Sequence, residues 1–500
     1  MIRRILNLSP WKLATLSGVL LGISFPPLRM GLLAWVGLVP LLRALDQSSP
    51  GKGAALGYLS GFVANSVALY WLSFNSGAPL PVVFASMMGA ALYLAFFWAV
   101  IASLFCFIQV RTGKGLAILP LLWVVVENAM SLGPLGFPWA SLATTQSEYL
   151  PVIQLAEYTG IYGISFWLLL LNVLVYRYLF IPSAVKRRLL PLAILFMVIP
   201  WLYGYIQMAT HANQAGHGKP FQVALIQPNV GPHEKWSPER RNWVMERLDS
   251  MYVEAAETNP QLIVWPESAT PFYLRRNFRW LNLVRRRVRE TQIPLLTGAV
   301  DWEETGGDRR IHNSVLLIQP HRPIGAYHKI RLVPMGEYNP FFNGVSFSDQ
   351  LGVGHFTPGE SHTVFEVENV PFSAIICFES AFPKLVRKFV QAGARMIVIV
   401  VNDGWFGNTS EPYQHAALAR FRAVEHRMPV VRCANTGISA VYDPAGRMTK
   451  RLGVDSNGII SSGIYPGEQL TFYAKHGDLF SVICLAFTLI LGSWFWTRTK

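Results

Sequence analysis

A carboxylate, an amine and a thiol each stand close to the end of an apolar run in this chain. Glu267 comes shortly after the run 261–265, Cys377 closes the run 372–377, and Lys329 lies between them in the sequence. A thiolate attacks carbonyl carbon, a carboxylate can accept the proton of the thiol, and an ammonium group can stabilise the resulting oxyanion. Reactive side chains are common where a rigid strand passes into a loop. The three residues predict covalent acyl-transfer chemistry if the fold brings them together.

Each of the three residues has an ordinary structural alternative when it is taken alone. A glutamate after a strand is usually a surface or capping group, a lysine in a loop is usually solvated, and a cysteine that ends an apolar strand is usually part of the core. Their combination in one domain favours the catalytic interpretation. In that interpretation Lys329 keeps both Glu267 and the thiolate of Cys377 charged.

The second half of the chain has the pattern of a layered α/β domain. Short β-rich runs alternate with helical patterns, which is typical of strands connected by helices. The runs are 221–227, 261–265, 293–300, 313–319, 372–377, 395–401 and 429–433. The helical patterns are 237–258, 273–290, 381–392 and 411–427.

Four separated motifs resemble the nitrilase, or carbon–nitrogen hydrolase, superfamily over about residues 221–470. They are 264–271 (VWPESATP), 327–337 (YHKIRLVPMGE), 374–380 (AIICFES) and 401–407 (VNDGWFG). The resemblance implies an α-β-β-α sandwich with Glu267 as general base, Lys329 as the group that stabilises charge and the oxyanion, and Cys377 as nucleophile. It also implies a supporting role for Glu337, which matches a further glutamate often found near this triad.

Two residues that follow Cys377 are expected to support it. Glu379 places a carboxylate two positions after the thiol, and the backbone N–H of Phe378 is a candidate donor to the oxyanion.

The first 210 residues are almost continuously apolar. Only four of the 29 acidic residues of the chain lie there, namely Asp46, Glu127, Glu148 and Glu157. The whole chain is 52% hydrophobic and has a mean hydropathy of +0.31. A region so poor in carboxylates is typical of a membrane bundle. We therefore expect three parts: a transmembrane bundle at 1–210, an extracytoplasmic α/β domain at 211–476, and a final transmembrane helix with its tail at 477–500.

About eight apolar runs could cross a bilayer as helices, which requires about 20 residues each. They lie near 11–26, 30–45, 54–74, 83–109, 115–130, 163–181, 189–207 and 478–496. With eight spans, the flanking basic clusters all fall on one side, which the positive-inside rule identifies as the cytoplasm. The clusters contain Arg3, Arg4, Arg43, Lys52, Arg111, Lys114, Lys186, Arg187, Arg188, Arg498 and Lys500. The loops 75–82 and 131–162 and the α/β domain then lie outside.

A nitrilase-like domain between a membrane bundle and one C-terminal span resembles the apolipoprotein N-acyltransferase family over essentially the full length. The segment 136–139 (GFPW) and Gln146 also resemble that family, whereas Phe378 stands where tyrosine is common in it. The resemblance implies an enzyme of the bacterial cell inner membrane with its catalytic domain on the periplasmic side. It implies transfer of an acyl chain from a phospholipid, through a thioester at Cys377, to the α-amine of the N-terminal S-diacylglyceryl cysteine of an apolipoprotein, without a cofactor.

Three further residues are candidates for substrate binding. Trp139 and Gln146 lie in the family-like loop, and Trp236 stands before the helical pattern 237–258. Trp236 could contact lipid or peptide, or it could simply pack at the start of the helix. Glu127 is an ionisable residue at the end of an apolar run, so a functional role and a structural ion pair are both open.

We interpret the excess of basic over acidic residues as a property of a membrane protein. The formal net charge is +14, but the basic residues do not form a nucleic-acid-binding tail, so we expect membrane lipids as partners and no nucleic acid. Seven arginines crowd the pattern 273–290, where they form a solvated face or contact lipid headgroups. No metal is expected, because neither His328 nor His415 is accompanied by a carboxylate or thiol at ligand spacing.

Two other functions fit parts of the sequence. A membrane-tethered amidase of the nitrilase type would need only one span as an anchor, so eight spans argue against it. A transporter with an extracytoplasmic domain would need polar residues along its spans. Residues 54–130 offer few beyond Asn65, Ser66, Ser73 and Glu127.

Overall fold

The computed structural model describes residues 8–180, 183–214, 219–305, 307–339 and 355–498, which form two compact units. One unit contains Met1–Phe74, Pro79–Ala209 and His476–Lys500, and the other contains Asn75–Ala78 and Thr210–Lys475, within the described residues. The short segment 75–78 belongs with the α/β unit, where the Ser76 N–H donates to the carbonyl of Trp405 at 2.7 Å.

The first unit is helical. Its main helices are Pro10–Gly22, Val39–Leu45, Pro50–Ala68, Leu80–Thr112, Gly115–Ala129, Ile161–Phe180, Ser183–Gln214 and Leu479–Arg498. Among the described residues, three helical stretches are long and apolar enough to cross a membrane, namely Leu80–Thr112, Ile161–Phe180 and Leu190–Thr210. Shorter apolar stretches are Gly31–Leu45, Gly115–Ala129 and Leu479–Trp494. A membrane helical unit is therefore supported, and the number of eight spans stays a prediction.

The first two predicted spans differ most from the observed helices. The first is a helix of 13 residues, Pro10–Gly22, and the second is broken into a 3-10 turn, Gly31–Trp35, and the short helix Val39–Leu45. Pro40 occupies the first turn of that short helix. Proline has no N–H to continue the preceding hydrogen-bond ladder, which favours a break in the apolar run at this point.

Three glycines bring two helices of the first unit close together. Gly53, Gly57 and Gly61 recur at every fourth position of Pro50–Ala68, and a Cβ on any of them would collide with the helix Leu80–Thr112. Small residues at this spacing let helix backbones approach closely, which drives helix association in lipid. The contact explains why this glycine-rich helix packs tightly without large side chains.

The second unit contains two six-stranded sheets. The strands are β1 (Phe221–Gln227), β2 (Leu262–Trp265), β3 (Leu295–Thr305), β4 (Asp308–Ile318), β5 (Gly325–His328), β6 (Phe365–Val367), β7 (Val370–Ile376), β8 (Ile397–Val401), β9 (Val430–Ala434), β10 (Ser439–Tyr442), β11 (Met448–Leu452) and β12 (Gly458–Ile464). The strand orders are β12-β1-β2-β3-β4-β5 and β11-β10-β9-β8-β7-β6. The central pairs β1–β2, β2–β3, β7–β8 and β8–β9 are parallel.

Helices cover the outer face of each sheet. Arg241–Ala256 and Phe278–Thr291 share an apolar core with β1, β2 and β3. Pro383–Gln391 and Glu411–His426 pack on the second sheet, and the two sheets contact each other through β1 and β9 and through β4 and β7. The predicted α-β-β-α sandwich is therefore confirmed.

Five strands lie outside the predicted runs, namely β5, β6, β10, β11 and β12. β5 and β6 have only four and three residues, too few to show a clear hydrophobic period. β11 is the exposed edge of its sheet and reads as polar, and β12 carries two glycines and two serines. Such strands are stabilised mainly by pairing with a neighbouring strand. The local sequence does not show this pairing.

Candidate active site

Three strand ends place the predicted catalytic residues. Glu267 follows β2, Lys329 follows β5, and Cys377 follows β7. β2 and β5 belong to one sheet and β7 belongs to the other, so the thiol comes from the opposite layer. Glu267 is 6% exposed, Lys329 is 1% exposed, and Cys377 is half-buried.

Lys329 lies between two carboxylates. Its Nζ is 2.9 Å from Oε1 of Glu337 and 3.6 Å from Oε1 of Glu267. Asn313 Nδ2 donates to both of those oxygens at 2.8 Å each. The four side chains form one network, in which the amide of Asn313 and the ammonium of Lys329 fix the position of the Glu267 carboxylate.

The ammonium charge of Lys329 is retained in spite of its burial. Burial by itself lowers the pKa of a lysine, but the carboxylates of Glu337 and Glu267 raise the pKa of Lys329 above its usual value. Cys377 contributes in the same direction. The two carboxylates therefore favour the charged form of Lys329.

The surroundings of Cys377 disfavour ionisation of its thiol. Burial raises its pKa well above the usual value, and the Glu267 carboxylate adds to the increase, whereas Lys329 opposes it. Lys329 thus acts toward the thiolate form, against burial and Glu267, and the expectation that it keeps the sulfur charged stays a prediction. A thiol attacks as thiolate, so a thiol whose ionisation is disfavoured needs a base that accepts its proton during attack.

Cys377 stands on a sharp turn. Its backbone is left-handed, with φ of 51°, and it begins the 3-10 turn Cys377–Ala381. A non-glycine residue in this region carries backbone strain, which the surrounding contacts must hold in place. The turn separates the sulfur from the strand that leads to it.

Glu379 connects the ends of two strands from different sheets. Its Oε2 accepts from the N–H of Ile376 at 2.8 Å, at the end of β7. Its Oε1 accepts from the N–H groups of Ile330 and Arg331, at 2.7 and 3.0 Å, directly after Lys329. One buried carboxylate therefore joins the backbone beside Lys329 to the backbone beside Cys377.

We expect Glu379→Gln to destabilise the α/β unit. The amide replaces one accepting oxygen by a donor that faces buried N–H groups, and an unsatisfied buried group costs about 1–3 kcal/mol. Thermal unfolding of the purified full-length protein in detergent should show a lower Tm. Glu360→Gln, at an exposed position, is the matched control and should leave the Tm unchanged. Equal Tm values for the two variants would contradict the connecting role of Glu379.

A buried ion network lies behind the nucleophile. His415 Nε2 is 3.0 Å from the carbonyl oxygen of Cys377, and its Nδ1 is 3.0 Å from Oδ1 of Asp403. Arg432 Nη2 is 2.8 Å from the other oxygen of Asp403. Burial and Arg432 lower the pKa of His415, but Asp403 and Glu411 outweigh them and raise it to about 9. The protonated form of His415, which this pKa favours at neutral pH, donates from both ring nitrogens, one of them to the carbonyl oxygen of Cys377.

The prediction that no carboxylate lies at ligand spacing from His415 was wrong. Glu411 lies one helical turn before His415, and with Asp403 the three offer ligand atoms within 4.8 Å of one another. Both ring nitrogens of His415 already face oxygen acceptors, and Arg432 forms an ion pair with Asp403. These residues fit an ion network better than a metal site, because a metal needs a neutral imidazole with a free lone pair.

The contribution of His415 to stability should depend on pH. Since its folded pKa is raised from 6.5 to about 9, the stabilisation is fully present below pH 6.5 and is lost as the pH rises through about 9. The Tm difference between the unmodified protein and His415→Gln should therefore narrow from pH 6 to about pH 9. A difference that stays constant over this range would mean that the imidazole acts only through packing.

The remaining sequence-based candidates occupy different surroundings. Trp139 is buried in the helical unit against Trp71, with ring centroids 5.3 Å apart. Gln146 accepts from Trp35 Nε1 at 2.8 Å and donates to the carbonyl of Gly31 at 2.9 Å, so both ends of its amide are used within that unit. Substrate contacts of Trp139 and Gln146 stay predictions.

Trp236 belongs to the α/β unit. It ends the short helix Pro232–Trp236 and packs, half-buried, beside the small cluster of Val300, Leu332 and Phe356. The observed contacts are those of a packing residue, and its contact with lipid or peptide stays a prediction.

Two other charged features have structural partners. Glu127 is buried in the helical unit and accepts from the N–H of Leu142 at 2.7 Å. In the arginine-rich region, Arg287 pairs with Asp249 at 2.9 Å, and Arg275 pairs with Asp301. Arg287 and Arg275 therefore form ion pairs within the α/β unit, and contact of this region with lipid headgroups stays a prediction.

Asn313 and Lys235 were not anticipated as site residues. Asn313 opens the apolar run 313–319, and a polar residue at the start of an otherwise buried strand was the available signal. Lys235 is fully buried and lies within the electrostatic range of Glu267. Its sequence context of His233, Glu234 and Trp236 resembles an ordinary surface helix, so the sequence contained no signal for its burial.

Comparison with known proteins covers both units of the chain. A family model described as apolipoprotein N-acyltransferase N-terminal domain matches residues 17–174, and one described as carbon-nitrogen hydrolase matches residues 222–468. The apolipoprotein N-acyltransferase of Geobacter metallireducens is 36% identical, over 96% of this chain and 94% of the relative. That of Chlorobaculum tepidum is 32% identical, over 97% and 96%. With two family domains in this order and near-complete coverage by such relatives, the chain belongs to the apolipoprotein N-acyltransferase family.

Proposed function

We propose that Cys377 carries the acyl group as a thioester between a phospholipid and the α-amine of a diacylglyceryl-apolipoprotein. Glu267 moves the protons, and Lys329 stabilises the oxyanion together with the N–H of Phe378. The observation that supports this most strongly is the set of contacts around Lys329, which holds Glu267 and Glu337 within 3.6 Å of one ammonium group.

The first half-reaction acylates the enzyme. Glu267 accepts the proton of the Cys377 thiol as sulfur bonds to the ester carbonyl carbon of the phospholipid. The oxyanion then collapses, the carbon–oxygen bond to glycerol breaks, and Glu267 returns the proton to that oxygen. A lysophospholipid leaves, and the thioester remains. The raised pKa of the thiol supports this coupled proton transfer, because burial disfavours ionisation of the sulfur before attack.

The second half-reaction transfers the acyl group to nitrogen. The α-amine of the S-diacylglyceryl cysteine attacks the thioester carbonyl, Glu267 accepts a proton from the nitrogen, and the carbon–sulfur bond breaks. The departing sulfur takes the proton back from Glu267. An amide is formed, and the enzyme returns to its starting state. Two substrates that react in turn at one nucleophile give ping-pong kinetics.

The role of Lys329 also depends on its two carboxylate partners. While Glu267 is charged, Lys329 is shared between Glu267 and Glu337. When Glu267 becomes protonated, the negative charge has moved to the carbonyl oxygen of the substrate, and Lys329 then attracts that oxygen more strongly. Glu337 holds the ammonium in place during this exchange.

The helical parts, 1–210 and 477–500, are proposed to place this reaction at the bacterial inner membrane, with residues 211–476 on the periplasmic side. Basic clusters that share one side under an eight-span arrangement support this orientation. Both substrates are anchored in lipid, and each CH₂ group drawn from lipid into water costs about 0.8 kcal/mol. A membrane-embedded enzyme avoids that cost.

A two-substrate assay tests the proposed function. The purified protein is incubated with a phospholipid that carries a labelled acyl chain, first alone and then with a diacylglyceryl-cysteine peptide. We expect a labelled enzyme and a lysophospholipid in the first stage, and then a labelled peptide with an amide bond. An enzyme that releases ammonia from small amides and never takes up label would instead be an amidase.

A further inference from the structure

Lys235 is a buried cation without a hydrogen-bond partner among the described residues. The side chain is 0% exposed, and its Nζ makes no hydrogen bond there. Its aromatic neighbour is the ring of Trp236, whose centroid is 6.0 Å from Nζ. Burying an ammonium group without a partner is costly, so a position of this kind calls for a ligand that supplies the missing acceptor.

The charged group that acts on Lys235 is Glu267, the proposed catalytic base. Glu267 stabilises its ammonium form, which places Lys235 in the neighbourhood of the carboxylate that handles the protons. Burial lowers the pKa of Lys235 to about 8, so most of the positive charge is still present at neutral pH. Three N–H groups of this cation are therefore available beside Glu267.

The other lysine of the site is already occupied. Lys329 contacts Glu337 at 2.9 Å and Glu267 at 3.6 Å, so its charge is used within the catalytic network. An acyl donor with a phosphodiester brings a negative charge toward these same two carboxylates. A second cation is needed to offset that repulsion, and Lys235 is in a suitable position.

We propose that Lys235 binds a phosphodiester oxygen of the phospholipid acyl donor. This inference rests on the proposed function, in which Glu267 returns a proton to the glycerol oxygen of the leaving group. The phosphodiester is attached to the same glycerol only a few bonds away, so a cation near Glu267 lies within its reach. Lys235 is as buried as Lys329, so both lysines lie in the interior of the α/β unit.

The test compares two acyl donors in the full-length protein. One is a phospholipid, and the other is p-nitrophenyl palmitate, a neutral ester without phosphate. Lys235→Met removes the charge and keeps the length of the side chain. We expect the kcat/KM of thioester formation to fall about tenfold or more further with the phospholipid than with the neutral ester, as for a lost charge-assisted hydrogen bond. Lys235→Arg should retain most of the phospholipid rate.

The controls separate the possible explanations. Lys450→Met, on the exposed strand β11, should behave like the unmodified protein with both donors. An equal loss with both donors would place Lys235 at the oxyanion of the ester carbonyl, and no loss with either would remove it from the site; both results overturn the proposal.

Folding of the variants is controlled within the same experiment. Turnover of the neutral ester shows that a variant is folded and that its catalytic centre works. If Lys235→Met does not fold, Lys235→Gln, which also lacks the charge, is required to show the same difference between donors. Failure of the unmodified protein to form a thioester with the phospholipid would contradict the proposed function rather than this inference.

Discussion

Replacing Cys377 by alanine is expected to abolish acylation of the enzyme. In the proposed mechanism the sulfur forms the covalent bond to the acyl group, and the methyl group of alanine is not a nucleophile. We expect the overall transfer rate to fall by at least about 10⁴-fold, as for other enzymes that lose their nucleophile. Mass spectrometry after incubation with phospholipid should show an acyl adduct on the Cys377 peptide of the unmodified protein and no adduct on C377A.

Cys433 offers a matched control for the loss of a thiol. It is buried in β9, and its Sγ donates to the carbonyls of Ile226 and Val264 at 3.3 Å each. Burial raises the pKa of this thiol, so it is an unreactive core residue. Cys433→Ala should still accept the acyl group on Cys377. An adduct that persists in C377A would refute the assignment of the nucleophile.

Replacing Glu267 by glutamine should produce the second largest effect. Glutamine keeps the shape of the side chain but cannot accept the thiol proton, and a positioned general base is worth about 10²–10⁴-fold in rate. The first half-reaction should slow by this factor. Single-turnover measurement of lysophospholipid release isolates that step from the transfer to the amine.

The pH dependence of Glu267→Gln provides a further criterion. Without a base, attack depends on the fraction of Cys377 that is ionised, and burial keeps the pKa of this thiol high. The residual rate of the variant should therefore rise steadily with pH, whereas the unmodified enzyme should change less. Glu366→Gln, at an exposed position of β6, should match the unmodified protein at every pH. A variant of Glu267 with the normal rate at neutral pH would exclude it as the base.

The sequence was sufficient to identify the candidate reactive residues because these residues follow apolar strands. Glu267 and Cys377 come after runs whose burial and period are visible locally, and the strands β2 and β7 are found there. The sandwich itself was predicted from its resemblance to a known superfamily. The positions of these residues along the chain could therefore be specified before any distance between them was known.

The contacts that support the site could not be predicted in the same way. Asn313 reaches Glu267 across 46 positions of sequence, and Glu379 reaches Ile330 across 49. Which residues meet over such separations depends on the pairing of the strands and the docking of the sheets, which local patterns do not contain. The broken second apolar run shows the same limit, because an average hydropathy does not register the effect of Pro40 on the helix.

The connection made by Glu379 has a consequence for how the protein matures. Because one carboxylate joins the turn of Cys377 to the backbone that follows Lys329, we expect the thiol to meet Glu267 and Lys329 only after both halves of the sandwich have docked. A partly folded chain should therefore carry an unreactive sulfur, which would protect it from acylating itself prematurely.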